Sequence, residues 1–292
     1  MDDTDIIKCH VHTDNPGQVL EHAIQYGMLS SIKIENMYEQ HQRLQKESSP
    51  ASAEPKAQTE ENGKYQYVPV DPERDYGFVA VSAGDGISEI FTQLGADQIV
   101  SGGQTMNPST EDLLGAIQAT PAKTVFVLPN NKNIIMAAEQ AVSLADRTVC
   151  VLQTKNIPQG ITAMLNFDPG VSTEQNSLAM TKAYEQVQTG SITYAARDSE
   201  VGGMKIREGD IMALENGKVS FVSPNLIKAS VKLIRQLLAK GGSYITMYYG
   251  SSVSDETASE VEEAVREKLP QDVELVMVSG GQPVYYFLIS VE

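Results

Sequence analysis

The residues best suited to chemistry lie near the start of the chain, in the run "IIKCHVHTDNPG". There are four histidines in all, and two of them, His10 and His12, are separated by a single residue. Ile6, Ile7, Cys9 and Val11 supply strand-forming side chains, and Pro16-Gly17 ends the run. Alternate strand residues share a face, so His10 and His12 point one way while Cys9 and Val11 point the other. Two imidazoles about 6–7 Å apart on one face can hold a metal ion or bracket a moving proton. The plainer alternative is a half-exposed edge strand carrying two incidental histidines.

His-x-His-x-Asp resembles the opening of the zinc motif of metallo-β-lactamase-like hydrolases, and "HVHT" resembles the start of polymerase-and-histidinol-phosphatase-type sites. Both families close their metal shells with histidines from later strands. Here no histidine follows His41, and Asn15 stands where the lactamase-like motif wants another. A self-contained binuclear hydrolase is therefore disfavoured. A metal at the pair would need Cys9, Asp14 or groups from elsewhere to complete its ligands.

The elements that must position this pair are read from the rest of the chain. Its 292 residues allow one large domain or two smaller ones. A formal charge of −16 and a pI near 4.7 argue against nucleic-acid or anionic-membrane binding driven by general electrostatics. Cys9 and Cys150 are too far apart in sequence to suggest a disulfide framework, which fits a reducing cytoplasm. No signal-peptide pattern and no long apolar run is present. The expected protein is soluble, acidic and cytoplasmic.

Composition cuts the chain once. Residues 45–64, "QKESSPASAEPKAQTEENGK", are rich in Ser, Ala, Pro, Glu and Gln and read as a flexible tether, with the linker taken to residue 71. Before it, residues 1–44 read as the histidine strand, a helix over "NPGQVLEHAIQYG" ended by Gly27, a strand over "LSSIKIENM" and a polar helix over "YEQHQRLQ". So small a piece makes a poor core by itself, and it is expected to be the end of a larger domain.

Residues 72–292 alternate between short β-branched runs and helical patterns. "YGFVAVSAG", "ADQIVSGG", "KTVFVLP" and "RTVCVLQT" are the first four strands, with helices between them. That order predicts a parallel sheet covered on both faces, in a first lobe over 72–155. The second lobe, 156–292, opens with a helix around 173–189 and mixes parallel with antiparallel strands. In it, Asn216-Gly217 marks a hairpin turn.

Two glycine loops stand out, "SGGQTMNPSTEDLL" and "SGGQPVYY". In the first, Asn107-Pro108-Ser109-Thr110 opens a helix at the carboxyl end of a parallel strand, where α/β folds commonly bind anions. A capped helix after a glycine turn explains the same residues without a ligand. "SAGDG" lacks the dinucleotide G-x-G-x-x-G, and no Walker A, Cys-x-x-Cys or Gly-x-Ser-x-Gly occurs. The large domain reads as a binding module.

Taken together, "HVHTDNPGQVLEHAIQYGMLSSIKIENMYEQH", the tether, "SGGQTMNPSTEDLL" and "SGGQPVYYFLISVE" resemble the kinase component of bacterial fatty acid kinase, itself similar to dihydroxyacetone kinase in its nucleotide-binding part. The resemblance implies the end of a central catalytic domain at 1–44 and a DegV-like domain at 72–292, with the ATP–Mg domain outside this chain. It assigns His10 and His12 as the catalytic pair, with Zn as a metal they could hold. It implies γ-phosphoryl transfer from ATP to a fatty acid presented by an acyl-carrying DegV-family protein, and a homodimer. In acyl-binding members of the fold a "TSQPS"-like loop holds the carboxylate, which maps substrate contacts onto Thr105, Asn107 and Ser109. This sequence departs from that pattern at Met106, at "PNNKN" (129–133) and at "SGGQP", which lacks the late histidine. Those departures point to a fold kept for docking the acyl-carrying partner or for self-association. A DegV-type fatty-acid-binding protein without catalysis is the alternative.

Overall fold

The computed structural model describes residues 13, 15–29, 67–103 and 107–292. They belong to two compact units, Met1–Ala57 and Gln58–Glu292. In the first, helix α1 (Pro16–Ala23) starts with Pro at its first position, where the missing N–H is no loss, and buries none of its residues. The helix expected to run to Gly27 tightens instead into a 3₁₀ turn over Ile24–Tyr26, closed by the Gly27 N–H on the Ile24 carbonyl. The expected second strand, the polar helix, most of the tether and both His10 and His12 lie outside the described residues.

The second unit is layered. Strands β1 (Arg74–Ser82), β2 (Gln98–Ser101), β3 (Ala122–Leu128) and β4 (Thr148–Val151) form a parallel sheet in the order β2-β1-β3-β4. Alternation sorts their side chains. Val79, Val81, Val125 and Val127 pack under helices α3 (Thr110–Gln118) and α4 (Ile135–Val142) on the outer face. Phe78, Ala80, Phe126 and Leu128 face inward, toward helices α2 (Asp85–Gln93), α5 (Ile157–Leu165) and α6 (Thr173–Gln186).

The second sheet has the order β11-β10-β12-β5-β8-β9, built from β5 (Gln188–Tyr194), β8 (Ile211–Glu215), β9 (Lys218–Ser223), β10 (Tyr244–Tyr249), β11 (Glu274–Ser279) and β12 (Tyr285–Val291). Between β5 and β8 a small hairpin, β6 (Ser199–Val201) and β7 (Met204–Ile206), turns at Gly202-Gly203. Tyr248 and Leu288 of this sheet join the same inward cluster as Phe78 and Phe126. Its outer face packs Ile245, Met247, Phe287 and Ile289 beneath α7 (Leu226–Leu238) and α8 (Asp255–Arg266). The order is therefore helices, sheet, helices, sheet, helices. The Asn216-Gly217 turn is as expected, with φ of 48° and 76°, the pair of positive values a tight hairpin needs.

One clamp fixes the chain as it enters this unit. The buried Arg147 guanidinium donates to the carbonyls of Thr120 and Val70 and pairs with Asp146. That pairing, through the Arg147 hydrogen bond first, holds the Asp146 carboxyl below the usual carboxylate range.

Candidate functional site

The place to look for a ligand is the carboxyl end of the parallel sheet, where both singled-out loops arrive. The end of β1 is their meeting point. Val81 offers its carbonyl to the Asn130 side chain (2.9 Å), and Ser82 offers its own to the Gly102 N–H (2.9 Å). Gly84 lies against Gly280, Gly281 and Gln282, close enough that a methyl group on it would meet backbone atoms.

Three of the four helix starts at this end receive a hydrogen-bond partner from within the chain, while α4, which follows Ile134, has no side-chain cap. Ser109 caps α3: its Oγ accepts from the Asp112 N–H (3.1 Å), while the Asp112 carboxylate accepts from the Ser109 N–H (2.8 Å) and hydroxyl (2.7 Å). Glu111 and Asp112 place two carboxylates in that first turn, which suits the helix dipole and repels a further anion. Asn107 is exposed beside buried Pro108, whose ring packs so closely on Gly102 that no side chain fits there. Thr105 lies outside the described residues. Helix α2 starts at Gly84 with no side-chain cap, and the Gly280 carbonyl accepts from its Ile87 N–H (3.0 Å). The Asn156 side chain caps α5, accepting from the Gln159 N–H (3.0 Å).

The "PNNKN" loop is locked the same way. Asn130 is buried in a left-handed conformation (φ 53°), which Asn tolerates better than most residues. Its N–H donates to Thr154 Oγ1 (3.1 Å), and the Thr154 hydroxyl donates back to Asn130 Oδ1 (2.8 Å). Its Nδ2 takes the Val81 carbonyl, which the departing β3 no longer reaches. In "SGGQPV", Gln282 Nε2 donates to the Tyr248 carbonyl (2.7 Å), and Gln282 Oε1 is a buried oxygen without a hydrogen-bond partner. Val284 then turns at φ 71°, with Tyr285 N–H on the Pro283 carbonyl, and its own carbonyl accepts from the Thr193 hydroxyl.

Beneath these loops the inner layer is filled. Tyr76, Phe78, Phe126 and Phe167 stack and cross with ring centroids 4.9–5.9 Å apart. Burial pushes the Tyr248 hydroxyl up to about 12 and raises that of Tyr285, both lying on this inner side of the second sheet. Among the described residues no group of three or more His, Cys, Asp or Glu could hold a metal. No helix among them is long and apolar enough to cross a membrane.

The structure thus brings Ser109 and Asn107 to the expected strand end. Sequence reasoning missed Asn130, Thr154 and the Gly280 carbonyl that occupies the start of α2. A signal for the last existed: Gly84 and Gly86 flank a helix start without a phosphate-binding pattern, as glycines do when another backbone comes close.

A layered α/β unit with these two sheets is the DegV fold. The solved structure of a DegV family protein from Thermus thermophilus, described as fatty acid binding, shares it (TM-score 0.54, 15% identity, 75% of this chain and 99% of that one). Dihydroxyacetone kinase of C. freundii also aligns (TM-score 0.55, 14% identity, 90% of this chain and 57% of that one). At the level of sequence, residues 77–292 match the C-terminal domain of the FakA-like fatty acid kinase family, and residues 1–44 match the middle domain of the same family. This chain belongs to the FakA-like fatty acid kinase family. The protein YloV of Bacillus subtilis (strain 168) is 39% identical over 292 residues, covering 99% of this chain and 50% of YloV. The chain spans about half the length of such relatives.

Proposed function

We propose that this chain is part of an ATP-dependent kinase that phosphorylates a fatty acid carried by a separate acyl-binding protein. A carboxylate oxygen attacks the γ-phosphorus of ATP, the bond to ADP breaks, and the products are acyl phosphate and ADP. His10 and His12 stabilise charge on the phosphoryl group in transit, and ATP with Mg²⁺ is held by a domain outside these residues. Zn²⁺ at the same pair would add Lewis-acid stabilisation of that charge. The DegV-like unit docks the acyl-carrying DegV-family protein and supports self-association.

Family membership supports the kinase role. The docking role is supported by one observation: at the strand ends α2, α3 and α5 already receive hydrogen-bond partners from within the chain, so the loop carrying Asn107 and Ser109 is held by its own residues. The likeness to a fatty-acid-binding DegV protein favours a second reading, lipid binding without catalysis. Mass spectrometry of lipid extracted from the purified chain separates the two. Stoichiometric fatty acid would support the second reading, and its absence the first.

In the intact kinase, His10→Ala or His12→Ala is expected to lower acyl phosphate formation on the order of a hundredfold or more, with ATP binding kept. Near-normal turnover would make the pair structural. Deleting residues 72–292 is expected to weaken association with the acyl-carrying protein, and unchanged affinity would overturn the docking role.

A further inference from the structure

We propose that the groove between α7 and α8 binds a single-chain amphipath with a phosphate head, such as an acyl phosphate. The ligand class follows from the groove, and only the source of that ligand rests on the kinase reading above. In a chain of net charge −16, α7 carries Lys228, Lys232 and Arg235 and no acidic residue. These three line the groove as a stripe at i, i+4 and i+7, and Lys268, just beyond the end of α8, lines it too. All four are exposed, and none takes part in an ion pair among the described residues. Lys232 lies over the Phe221 ring instead, 3.9 Å from its centroid. Like charges four residues apart, as Lys228 and Lys232 are, destabilise the helix that carries them, and an anion in the groove offsets that repulsion.

The same groove has an apolar part. Ile227 and Val231 of α7 and Ala264 of α8 belong to its lining, and its volume is about 640 Å³. That lies within the roughly 300–1,000 Å³ that takes one small ligand. Lys232 and Arg235 are less than one helical turn apart, so both can serve one head group. A guanidinium fork takes two phosphate oxygens and an ammonium takes the third. A carboxylate has one oxygen fewer and roughly half to two-thirds of the charge of a phosphate monoester, so phosphate is the better match. The apolar lining is left for the chain that follows the head.

The size of the ligand decides what charge it meets. Within the groove four cations stand against the single carboxylate of Glu267. The wider face adds Glu256, Glu260 and Glu263, all exposed on α8. An anionic membrane or an acidic protein surface would meet both stripes and gain nothing, whereas a molecule seated in the groove meets the cations. Screening over about 10 Å at 0.1 M salt keeps most of the chain's remaining negative charge out of reach. Because the lining cations are exposed, the ligand exchanges freely and is removed by dialysis. Fatty acid retained through purification would therefore still report on the lipid-binding reading.

The test is isothermal titration calorimetry of the whole 292-residue chain with dodecyl phosphate, a hydrolytically stable stand-in for an acyl phosphate, kept below its micelle concentration. Saturable one-to-one binding is expected, weakened about tenfold or more by Lys228→Glu with Arg235→Glu. The same charge change beside the β6–β7 hairpin, Lys205→Glu with Arg207→Glu, should leave it unchanged. Laurate, the carboxylate of the same chain length, should bind several-fold more weakly. Four results would each overturn the proposal: no saturable binding, a groove variant that binds like the wild type, an equal loss in the hairpin variant, or laurate bound as tightly as dodecyl phosphate. Co-sedimentation with phosphatidylglycerol vesicles that the groove variant loses would overturn it too, by assigning the groove to a lipid surface. None of these results touches the kinase reading, which the His10 and His12 variants test.

Discussion

At the carboxyl end of β1, Asn130, Thr154, Ser109 and Gly280 turn their polar groups toward the chain itself. On α7 and α8 of the other sheet, Lys228, Arg235, Glu260 and Glu263 turn theirs to solvent, while Lys232 lies over the Phe221 ring. Both regions are rich in hydrogen-bonding or charged groups. The four residues named at the first are paired within the fold, with the buried Gln282 Oε1 an unpartnered exception there, whereas the second leaves its charges exposed. Polar residues at the expected pocket are therefore no sign of a ligand once each has a partner in the fold. The contrast predicts that changes in the first region lower stability and spare binding, while changes in the second do the reverse.

The largest effect should come from Asn130→Ala. It strips partners from the Thr154 hydroxyl and the Val81 carbonyl and puts Ala where φ is 53°, together costing about 4 kcal/mol. Urea unfolding measures it, and a loss below about 1 kcal/mol would show that the loop is not locked as described. Alkaline unfolding comes next. Tyr248 keeps its proton to about 12 in the folded protein because burial disfavours the phenolate, whereas an unfolded tyrosine loses it near 10. Its folded value is the higher one, so its contribution is complete below about pH 10 and is lost as pH rises toward 12, by roughly 2–3 kcal/mol. Tyr248→Phe should flatten that decline, and an unchanged stability-against-pH curve would exclude Tyr248 as its source.

Smaller still, Ser109→Ala should remove a helix cap worth about 1 kcal/mol and leave partner association unchanged. A selective loss of association would return Ser109 to the role of ligand contact. The least effect on stability, within about 0.5 kcal/mol, is expected for Lys228→Glu with Arg235→Glu, since both residues are exposed. Thermal melting checks this, and marked destabilisation would mean that the stripe serves the fold.

Much of the architecture was legible because its signals are local. The β-branched runs gave the four parallel strands, and Asn216-Gly217 gave the hairpin. Helix α5 went unassigned because "IPQGITAML" contains Pro and Gly and is buried on nearly all sides, so no amphipathic stripe marks it. The β6–β7 hairpin is too short and too exposed for its alternation to show. At the candidate site, the capping of α3 could be read from Asn107 to Thr110, and the structure selects Ser109. The Asn130–Thr154 lock could not be read, since its partners are 24 residues apart and meet only once β3 and β4 are paired. His10, His12 and Thr105 lie outside the described residues, so their expected roles rest on the family resemblance.

The middle helices have a mechanical consequence. Ile161, Met164, Met180 and Tyr184 form one continuous cluster with Phe78 and Phe126 of one sheet and Tyr248 and Leu288 of the other. With that wedge of side chains glued to both sheets, neither can swing away from the other without tearing it. The unit should behave in calorimetry as a single cooperative block, one heat-absorption peak, with no clamshell motion between its halves.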